Sequence, residues 1–504
     1  MILPFHKNPN VTWSLVFCIL ALSFILLAWQ RMLTDGITGD EGFYLLCGHL
    51  TADGQKPYAD FGFTQPPAFL WLCARMLPLL DWSVSGIRTL NVILICLSLT
   101  FASLHLYQSK GPLAALLVWI LAIASPGWID ASVLGKPHAL GGLILTMASI
   151  VVLSTHRIAV RWGLFLLLAS FGCLTRFTLA PYFAICFLLL LVETPTWKWR
   201  SAAIIIFILS GASIIYSIHG GNWEGFYFWT IDYHMLRVLP PKGDGRIPAY
   251  MHMLDGWRHA PAVWTALILG LLIRRTDRKT RVASLGLVIT ALSVVSTERS
   301  YGDYATPFVP AAIFLLATIV GPKFDDFRHL RSWPVLFPIC MVIVVWFGWS
   351  NRPVLSVHPD RNYLKCVAET AAFVKQHLIQ GSQVVSSVPE IPVEARLRMP
   401  LKLSMGRFSL SETIDQQRAD RIGVCTPIDF FQFLKDRDTK AFIGSTQAFN
   451  NFAFSIPEIY YTSEYFISQF QILLETQYSL CHVNSHYVVF LRKPSNPAEE
   501  NMDE

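Results

Sequence analysis

The chain has 504 residues, of which 53% are hydrophobic and only 15% are charged. Soluble globular proteins carry about 25% charged residues, so this composition excludes an ordinary soluble enzyme and indicates several membrane spans. The net charge of +6 is less informative than the distribution of the charges, and the ten cysteines form no spacing typical of a zinc site.

Apolar stretches long enough to cross a bilayer recur from the N-terminus to about residue 350. A span needs roughly twenty apolar residues, and the first stretch has no small-residue cleavage site, which favours a retained helix over a signal peptide. We therefore predict about eleven transmembrane helices, near residues 12–33, 87–107, 111–127, 136–154, 162–175, 177–192, 201–218, 259–273, 282–296, 305–320 and 334–349.

The positions of Lys and Arg predict the orientation of these spans, because cytoplasmic loops are enriched in basic residues. If the N-terminus is cytoplasmic, the inner segments include the run RRTDRKTR from Arg274 to Arg281. The long loops 34–85 and 219–257 then face outward, and an odd number of spans places the C-terminus on the same side. We expect a multi-pass protein of the inner or plasma membrane, with the lipid bilayer as a partner and no nucleic-acid partner.

From about residue 350 the long apolar stretches give way to shorter patterns typical of a soluble domain. RNYLKCVAETAAFVKQHL has the 3–4 apolar spacing of an amphipathic helix, SQVVSSV and KAFIG are typical of strands, and YSLCHVNSHYVVFLR predicts two strands around an Asn484–Ser485 turn. The predicted architecture is a polytopic α-helical membrane bundle, residues 1–349, followed by a small extracytoplasmic α/β domain, residues 350–504.

Two adjacent acids follow the first span, Asp40 and Glu41 in GDEGFY, and Asp60 comes nineteen residues later in a loop rich in Pro and aromatic residues. Acids in an outer loop are often merely solvated. Here, apolar helical stretches flank them, FYLLCGHL and FTQPPAFLWLCARMLPLL, and the second is typical of an interfacial helix. Partial desolvation between such helices favours a role as a base or a metal ligand.

Cations and polar aromatic residues recur at the predicted outer ends of the spans. Charges against a span are costly and often functional, although snorkelling to the interface or an aromatic belt would also explain them. The candidates are Lys136 and His138 in LGKPHALGG, Arg176 in CLTRFTLAP, Arg299, Tyr301 and Tyr304 in TERSYGDYATPFVP, and His234 in TIDYHMLRVLPP. Acids and cations at one depth suit a reaction in which a base activates a nucleophile while cations hold an anionic leaving group.

These motifs resemble those of the GT-C glycosyltransferases, polytopic enzymes that use sugars linked to polyprenyl or dolichyl phosphate. The resemblance rests on GDEGFY, on GQKPYADF before QPP, on LTRFT, on the YH of the second long loop and on RSYGDYATPFVP. It covers roughly residues 10–350. The chain looks most similar to the branch related to protein O-mannosyltransferases and to the aminoarabinose transferase of lipid A.

The resemblance implies a cell-envelope enzyme that moves a sugar from a polyprenyl-phosphate donor to a glycan, lipid or protein acceptor. Asp40 matches the catalytic acidic position, Glu41 completes the pair, and Asp60 is a second acid that orients acceptor or metal. The donor-phosphate candidates are Lys136, His138, Arg176, Arg299, Tyr301 and Tyr304, and His234 is assigned to the acceptor side. Some members of the family use a divalent metal, but the cofactor and any metal ligands stay open here.

Two other functions fit the sequence less well. A transporter or flippase for lipid-linked saccharides would place its functional charges near the middle of the bilayer and show inverted repeats, whereas these candidates gather at one face. A non-catalytic assembly protein would depend on its tail rather than on Asp40 and Arg176.

Overall fold

The structure is a computed structural model that describes residues 9–34, 39–218, 221–236, 260–273, 276–295, 302–326, 363–411, 413–446 and 464–494. By internal contacts the chain forms two units. The helical unit comprises Met1–Asp35, Arg88–Tyr216 and Gly245–Ser356, and the α/β unit comprises Gly36–Ile87, Ser217–Asp244 and Val357–Glu504. The predicted loop 34–85 and part of the loop 219–257 thus group with the C-terminal domain.

The helical unit is made mostly of long apolar helices. Its helices are α1 (Pro9–Thr34), α4 (Val84–Lys110), α5 (Pro112–Ile123), α6 (Pro126–Val133), α7 (His138–Leu153), α8 (Ile158–Thr175), α9 (Ala180–Glu193), α10 (Trp197–Ile218), α13 (Pro261–Ile273), α14 (Arg278–Val295) and α15 (Val309–Asp326). Helix α1 exposes large apolar side chains such as Leu22 and Leu26. An exposed apolar face of this kind is expected for a helix that contacts lipid.

Helices occur at ten of the eleven predicted spans, and the stretch 334–349 lies outside the described residues. Within the part of the chain that the structure describes, four helices are long and apolar enough to cross a membrane, or five if a bent pair counts as one span. That pair is α5 and α6, which meet at 74°. The sequence predicted one continuous span at 111–127, but Pro126 begins a new helix because it cannot donate the backbone hydrogen bond of a helix interior. The number eleven stays a prediction.

The α/β unit has short helices around one sheet. They are α2 (Gly39–Ala52), α3 (Ala68–Leu80), α11 (Trp223–Tyr227), α12 (Tyr233–Leu236), α16 (Tyr363–His377), α17 (Glu390–Glu394), α18 (Gln416–Ile422), α19 (Pro427–Lys435) and α20 (Glu464–Gln477). The strands are β1 (Gln383–Ser386), β2 (Thr439–Ser445), β3 (Tyr478–Val483) and β4 (Tyr487–Arg492). A π-helical turn, Phe228–Asp232, joins α11 to α12. The amphipathic helix and the four strands predicted for the tail are confirmed.

The sheet has the order β1-β2-β4-β3, with β1 and β2 parallel and the other pairs antiparallel. Neighbouring residues alternate between two apolar clusters, so that Val384 and Val489 face one cluster while Val385 and Val488 face the other. Because both faces are covered, the central strands consist of apolar runs rather than of alternating polar and apolar residues. The turn between β3 and β4 is closed by Asn484, whose Oδ1 accepts hydrogen bonds from the backbone N–H groups of His486 (3.0 Å) and Tyr487 (2.8 Å).

Two glycines of α8 allow a direct test of helix packing in the helical unit. A Cβ at Gly172 would collide with the ring of Phe183 on α9, whereas a Cβ at Gly163 meets no atom within 4 Å. Overpacking costs typically about 1–3 kcal/mol, while Gly→Ala inside a helix gains about 1 kcal/mol at most. We expect Gly172→Ala to lower the apparent unfolding midpoint in detergent and Gly163→Ala to leave it unchanged or raise it. Equal midpoints for the two variants would contradict this packing of α8 on α9.

Candidate functional site

Five polar residues of the helical unit form what we call the basic cluster: Lys136, His138, Arg176, Asp303 and Tyr304. They come from three distant parts of the chain, namely the turn before α7, the break between α8 and α9, and the 3₁₀ segment Gly302–Phe308. His138 and Arg176 are almost fully buried. The cluster unites four of the predicted donor-phosphate residues with Asp303, which was not among the predicted site residues.

The turn that carries Lys136 is held by a buried side chain of α4. Asn91 donates hydrogen bonds from Nδ2 to the carbonyl oxygens of Leu134 and Lys136, the second at 2.9 Å. Asn91 is completely buried. Pro137 then leads into α7, of which His138 is the first residue. The backbone of this turn is therefore fixed by a tertiary contact, and its two polar side chains are presented from one short stretch.

Arg176 lies where the helical path is interrupted. Helix α8 ends at Thr175, and Arg176 has an extended conformation (φ −157°, ψ 127°) before a short 3₁₀ turn leads to α9. Its backbone N–H still donates to the carbonyl of Gly172 (2.9 Å) and completes the last turn of the helix. The break allows the long guanidinium side chain to leave the helix surface and to enter the polar interior of the unit.

Small residues on α7 allow the 3₁₀ segment to approach closely. A Cβ at Gly142 would come within 2.9 Å of Pro310 Cγ, and one at Gly141 would lie 3.3 Å from Pro307 Cβ. The Gly141–Gly142 pair in LGKPHALGG thus provides the space in which the segment packs against α7. This approach brings Asp303 to the N-terminal end of α7, next to His138.

Asp303 links two members of the cluster. Lys136 Nζ lies 3.0 Å from Asp303 Oδ2, and His138 Nε2 lies 3.3 Å from the same oxygen. Arg176 Nη1 is 2.7 Å from His138 Nδ1. Because a guanidinium only donates, Nδ1 must accept, which leaves the proton on Nε2 and lets it donate to Asp303. His138 is thereby held as the neutral tautomer between a cation and an anion.

The cluster has the features of an anion-binding site. Two cations face one carboxylate, and Arg176 Cζ lies 4.6 Å above the centre of the Tyr304 ring, which orients the guanidinium. Among the described residues, Arg176 Nε and Asp303 Oδ1 are buried and have no hydrogen-bond partner. Buried polar atoms are normally paired, so unpaired atoms beside excess positive charge are consistent with a site that receives a polar ligand.

The predicted acids lie in the α/β unit. Asp40 and Glu41 form the first turn of α2, where negative charge also stabilises the positive end of the helix dipole. Asp40 is partly buried and Glu41 is completely buried. The acids and the basic cluster therefore belong to different units, and their roles on a common substrate stay a prediction.

The two other candidates of the α/β unit hold loop backbone. Asp60 is exposed, and its Oδ2 accepts a hydrogen bond from the backbone N–H of Lys56 (2.7 Å), which closes its own loop. His234 Nε2 lies 2.9 Å from the carbonyl oxygen of Thr64, to which it donates, so α12 is tied to the first long loop. These contacts account for both residues structurally and leave their catalytic roles as predictions.

Two further candidates, Arg299 and Tyr301, lie outside the described residues. Within the described ranges, no group of three or more His, Cys, Asp or Glu side chains could hold a metal ion. Asp303 lies in the quoted motif RSYGDYATPFVP, and an acid at the start of an apolar helix was a signal that could have identified it. Asn91, in contrast, is an ordinary polar residue of a span, and its sequence context does not distinguish it.

The fold of this chain, a helical unit with a buried basic cluster and an α/β unit that carries paired acids, is similar to that of solved membrane-protein structures. In particular, the chain is similar to ArnT from Cupriavidus metallidurans in the apo state, with a TM-score of 0.64 and 15% identity over 97% of this chain and 100% of that one. ArnT bound to undecaprenyl phosphate aligns with a TM-score of 0.58 and 15% identity, over 95% and 99% of the two chains. The sequence matches no family model and no curated protein. A mostly helical, ArnT-like fold with a small C-terminal sheet is thus confirmed, while the number of spans and the side of the membrane on which the sheet lies stay predictions.

Asp303→Asn tests how far the basic cluster depends on its carboxylate. Removing one partner of a buried ion pair costs about 3–5 kcal/mol, and we expect the lower end because 19% of the Asp303 side chain is exposed. The apparent unfolding midpoint in detergent should fall clearly. The control is Glu369→Gln, which breaks the exposed Lys365–Glu369 pair and should lower the free energy of unfolding by less than about 1 kcal/mol. Equal midpoints would show that Asp303 does not hold the cluster.

Proposed function

We propose that this protein is an integral-membrane glycosyltransferase. It moves a sugar from a polyprenyl-phosphate donor to an acceptor on the outer face of the membrane. The observation that carries the proposal is the basic cluster, in which, among the described residues, two cations face one acid and the Nε of buried Arg176 has no hydrogen-bond partner. The cluster occurs in a fold shared with ArnT, of which one crystal structure is described as bound to undecaprenyl phosphate.

The donor phosphate binds at the basic cluster in this proposal. Lys136 and Arg176 supply positive charge, and His138 and Asp303 hold these cations in place through the contacts described above. Arg176 also has the planar donor geometry that suits phosphate oxygens. Tyr304 keeps the guanidinium oriented, and Arg299 and Tyr301 are further candidates on the same segment of the sequence.

The chemistry is a single displacement with inversion. Asp40 removes the proton from an acceptor hydroxyl or amine, whose electron pair attacks the anomeric carbon. The bond between that carbon and the phosphate oxygen breaks, and polyprenyl phosphate leaves with the bonding electrons. Because the cations stabilise the negative charge of the leaving phosphate, no general acid is required. The task of the base matches that of the carboxylate in inverting glycosidases.

The remaining assignments complete the proposal. Glu41 supports Asp40, Asp60 orients the acceptor or a divalent metal, and His234 lies on the acceptor side. The N-terminus is cytoplasmic, and residues 350–504 form an extracytoplasmic domain. The rival functions predict other outcomes: a transporter or flippase for lipid-linked saccharides would depend on charges near the middle of the bilayer, and a non-catalytic assembly protein would tolerate replacement of Asp40 and Arg176.

Binding of the lipid phosphate can be measured apart from catalysis. Arg176→Gln removes a charged hydrogen-bond donor, and a hydrogen bond from such a donor contributes about 1.5–3 kcal/mol to the free energy of binding. We expect its affinity for undecaprenyl phosphate in nanodiscs to fall about ten- to a hundredfold. Arg157→Gln, an exposed arginine of the same unit, should bind like the unsubstituted protein. Undecaprenol, which has no phosphate, should bind poorly to all three proteins, and unchanged binding by Arg176→Gln would contradict the assignment.

The base is tested by Asp40→Asn with a set of radiolabelled undecaprenyl-phosphate sugars in membranes. We expect sugar transfer to fall by at least a hundredfold, since general bases contribute about 10²–10⁴ to rates, while binding of undecaprenyl phosphate is retained. Asp53→Asn, which alters an exposed acid near the other end of α2, is the matched control and should keep full activity. Full transfer by well-folded Asp40→Asn protein would refute the role of Asp40.

A further inference from the structure

Glu390 is a buried acid of the C-terminal domain that the proposed mechanism does not use. It begins α17 and is only 3% exposed. The phenolic O–H of Tyr487 on β4 donates to Glu390 Oε1 (3.1 Å). Acids are rarely buried to this degree, so the position of Glu390 requires an explanation.

The other carboxyl oxygen lies directly against the backbone of α2. A Cβ at Gly42 would collide with Glu390 Oε2 and would lie 3.1 Å from the Glu390 backbone nitrogen. Only glycine leaves room for this contact. Gly42 follows Asp40 and Glu41 in the first turn of α2, so the Glu390 carboxyl packs on the turn that carries both predicted acids.

The surroundings of Glu390 disfavour its charged form. The charged groups that raise its pKa are Glu41 from α2 and Glu394 from its own helix, while Tyr487 contributes a hydrogen bond from β4. Burial raises the pKa of the Glu390 carboxyl to about 7, and the neighbouring carboxylate of Glu41 acts in the same direction. A carboxyl group that is buried beside another acid loses its proton less readily than one in water. The neutral acid is therefore the form that fits this contact.

We propose that Glu390 is a positioning residue for the acids of α2. As a neutral carboxylic acid it packs on Gly42 and holds the first turn of α2 in place, and when it loses its proton, repulsion from Glu41 loosens that turn. This inference rests on the proposed function only where it concerns activity, because Asp40 lies on the turn that is held. The contact itself is independent of the reaction.

The direction of the pH dependence follows from the raised pKa. An unfolded or locally opened chain ionises this carboxyl near 4.5, whereas the closed form ionises it near 7. Between these values the closed form binds more protons, so its stability decreases as the pH rises. A carboxyl with these two pKa values makes opening of the turn about tenfold more favourable at pH 8 than at pH 6.

The first experiment measures hydrogen exchange of the full-length protein in nanodiscs, as protection factors corrected for the intrinsic effect of pH. For peptides covering the first turns of α2, we expect protection to fall about tenfold from pH 6 to pH 8. Glu390→Gln keeps an acceptor for Tyr487 but cannot ionise, so its protection should be the same at both pH values. If the substituted and unsubstituted proteins show the same pH dependence, the proposal is wrong.

Glu394→Gln is the matched control within the same helix. Burial also raises the pKa of Glu394 to about 7, but its Oε1 accepts a hydrogen bond from the backbone N–H of Val84 (3.0 Å). Asp81 and Lys375 are the charged groups that act on it. This variant should change the pH dependence of protection around residues 82–87 and leave most of that of the first turn of α2, because burial and Glu41 act more strongly on the pKa of Glu390 than Glu394 does. Loss of the α2 effect in Glu394→Gln would also overturn the proposal.

A second pair of variants tests the contact without reference to pH. Gly42→Ala should lower the apparent unfolding midpoint because the new methyl group collides with the Glu390 carboxyl. Glu390→Ala removes that carboxyl, so Gly42→Ala in this background should lower the unfolding midpoint distinctly less. The difference between the two effects of Gly42→Ala measures the interaction between the two residues. Additive effects would mean that the two residues do not touch. If Glu390→Ala does not fold, the hydrogen-exchange experiment on Glu390→Gln still tests whether Glu390 holds the first turn of α2.

Activity measurements distinguish this inference from the proposed function. If both hold, kcat for sugar transfer should fall from pH 6 to pH 8 more in the unsubstituted protein than in Glu390→Gln, to the extent that the opened turn becomes populated, with KM for the donor little changed. If transfer is absent under all conditions but the exchange results are as expected, the proposed function fails and the positioning contact stands. If transfer occurs with the same pH profile in both proteins, the positioning role fails and the proposed function stands.

Discussion

The basic cluster depends on one shared carboxylate. Asp303 Oδ2 lies within 3.3 Å of both Lys136 and His138, and His138 in turn accepts a hydrogen bond from Arg176. Without the anion, two cations and an imidazole would be drawn together inside an apolar helical unit, where uncompensated charge is very costly. Among the described members of the cluster, Asp303 is the single acid and faces two cations. The cluster is therefore stable enough to persist and is still able to attract an anion.

Close approach of backbone at glycine positions makes both polar sites possible. At Gly141 and Gly142 the absence of side chains lets the segment that carries Asp303 pack on α7, and at Gly42 it lets a carboxyl group rest on the first turn of α2. In each case an ionisable group is held by packing against backbone and by hydrogen bonds. Polar groups that are placed in this way have little freedom to reorient, which is the preorganisation that electrostatic catalysis requires.

The α/β unit combines elements from three parts of the chain. The first long loop, part of the second and the tail are joined by hydrogen bonds such as that from Trp229 Nε1 to the carbonyl of Ile422 (2.6 Å) and that from Ser404 Oγ to the carbonyl of Gly62 (3.0 Å). The first turn of α2 also contacts the C-terminal domain, because Glu390 packs on Gly42 and the ring of Phe408 lies 5.9 Å from that of Phe43. This arrangement assigns the domain a direct part in holding the predicted catalytic turn.

The amino-acid sequence by itself determined the class of the fold and the identity of most candidate residues. Long apolar runs identify the helices of the bundle, and short apolar runs beside turn residues, such as YVVFLR, identify the strands, because each pattern reflects burial of a local element. Only the tertiary structure decided which polar residues meet. The pairing of Asp303 with Lys136 joins residues 167 positions apart, and that of Glu390 with Gly42 spans an even longer stretch. Such contacts depend on how helices pack against one another. The periodicity of a local stretch of sequence determines which face of a helix is buried but not which other helix covers that face.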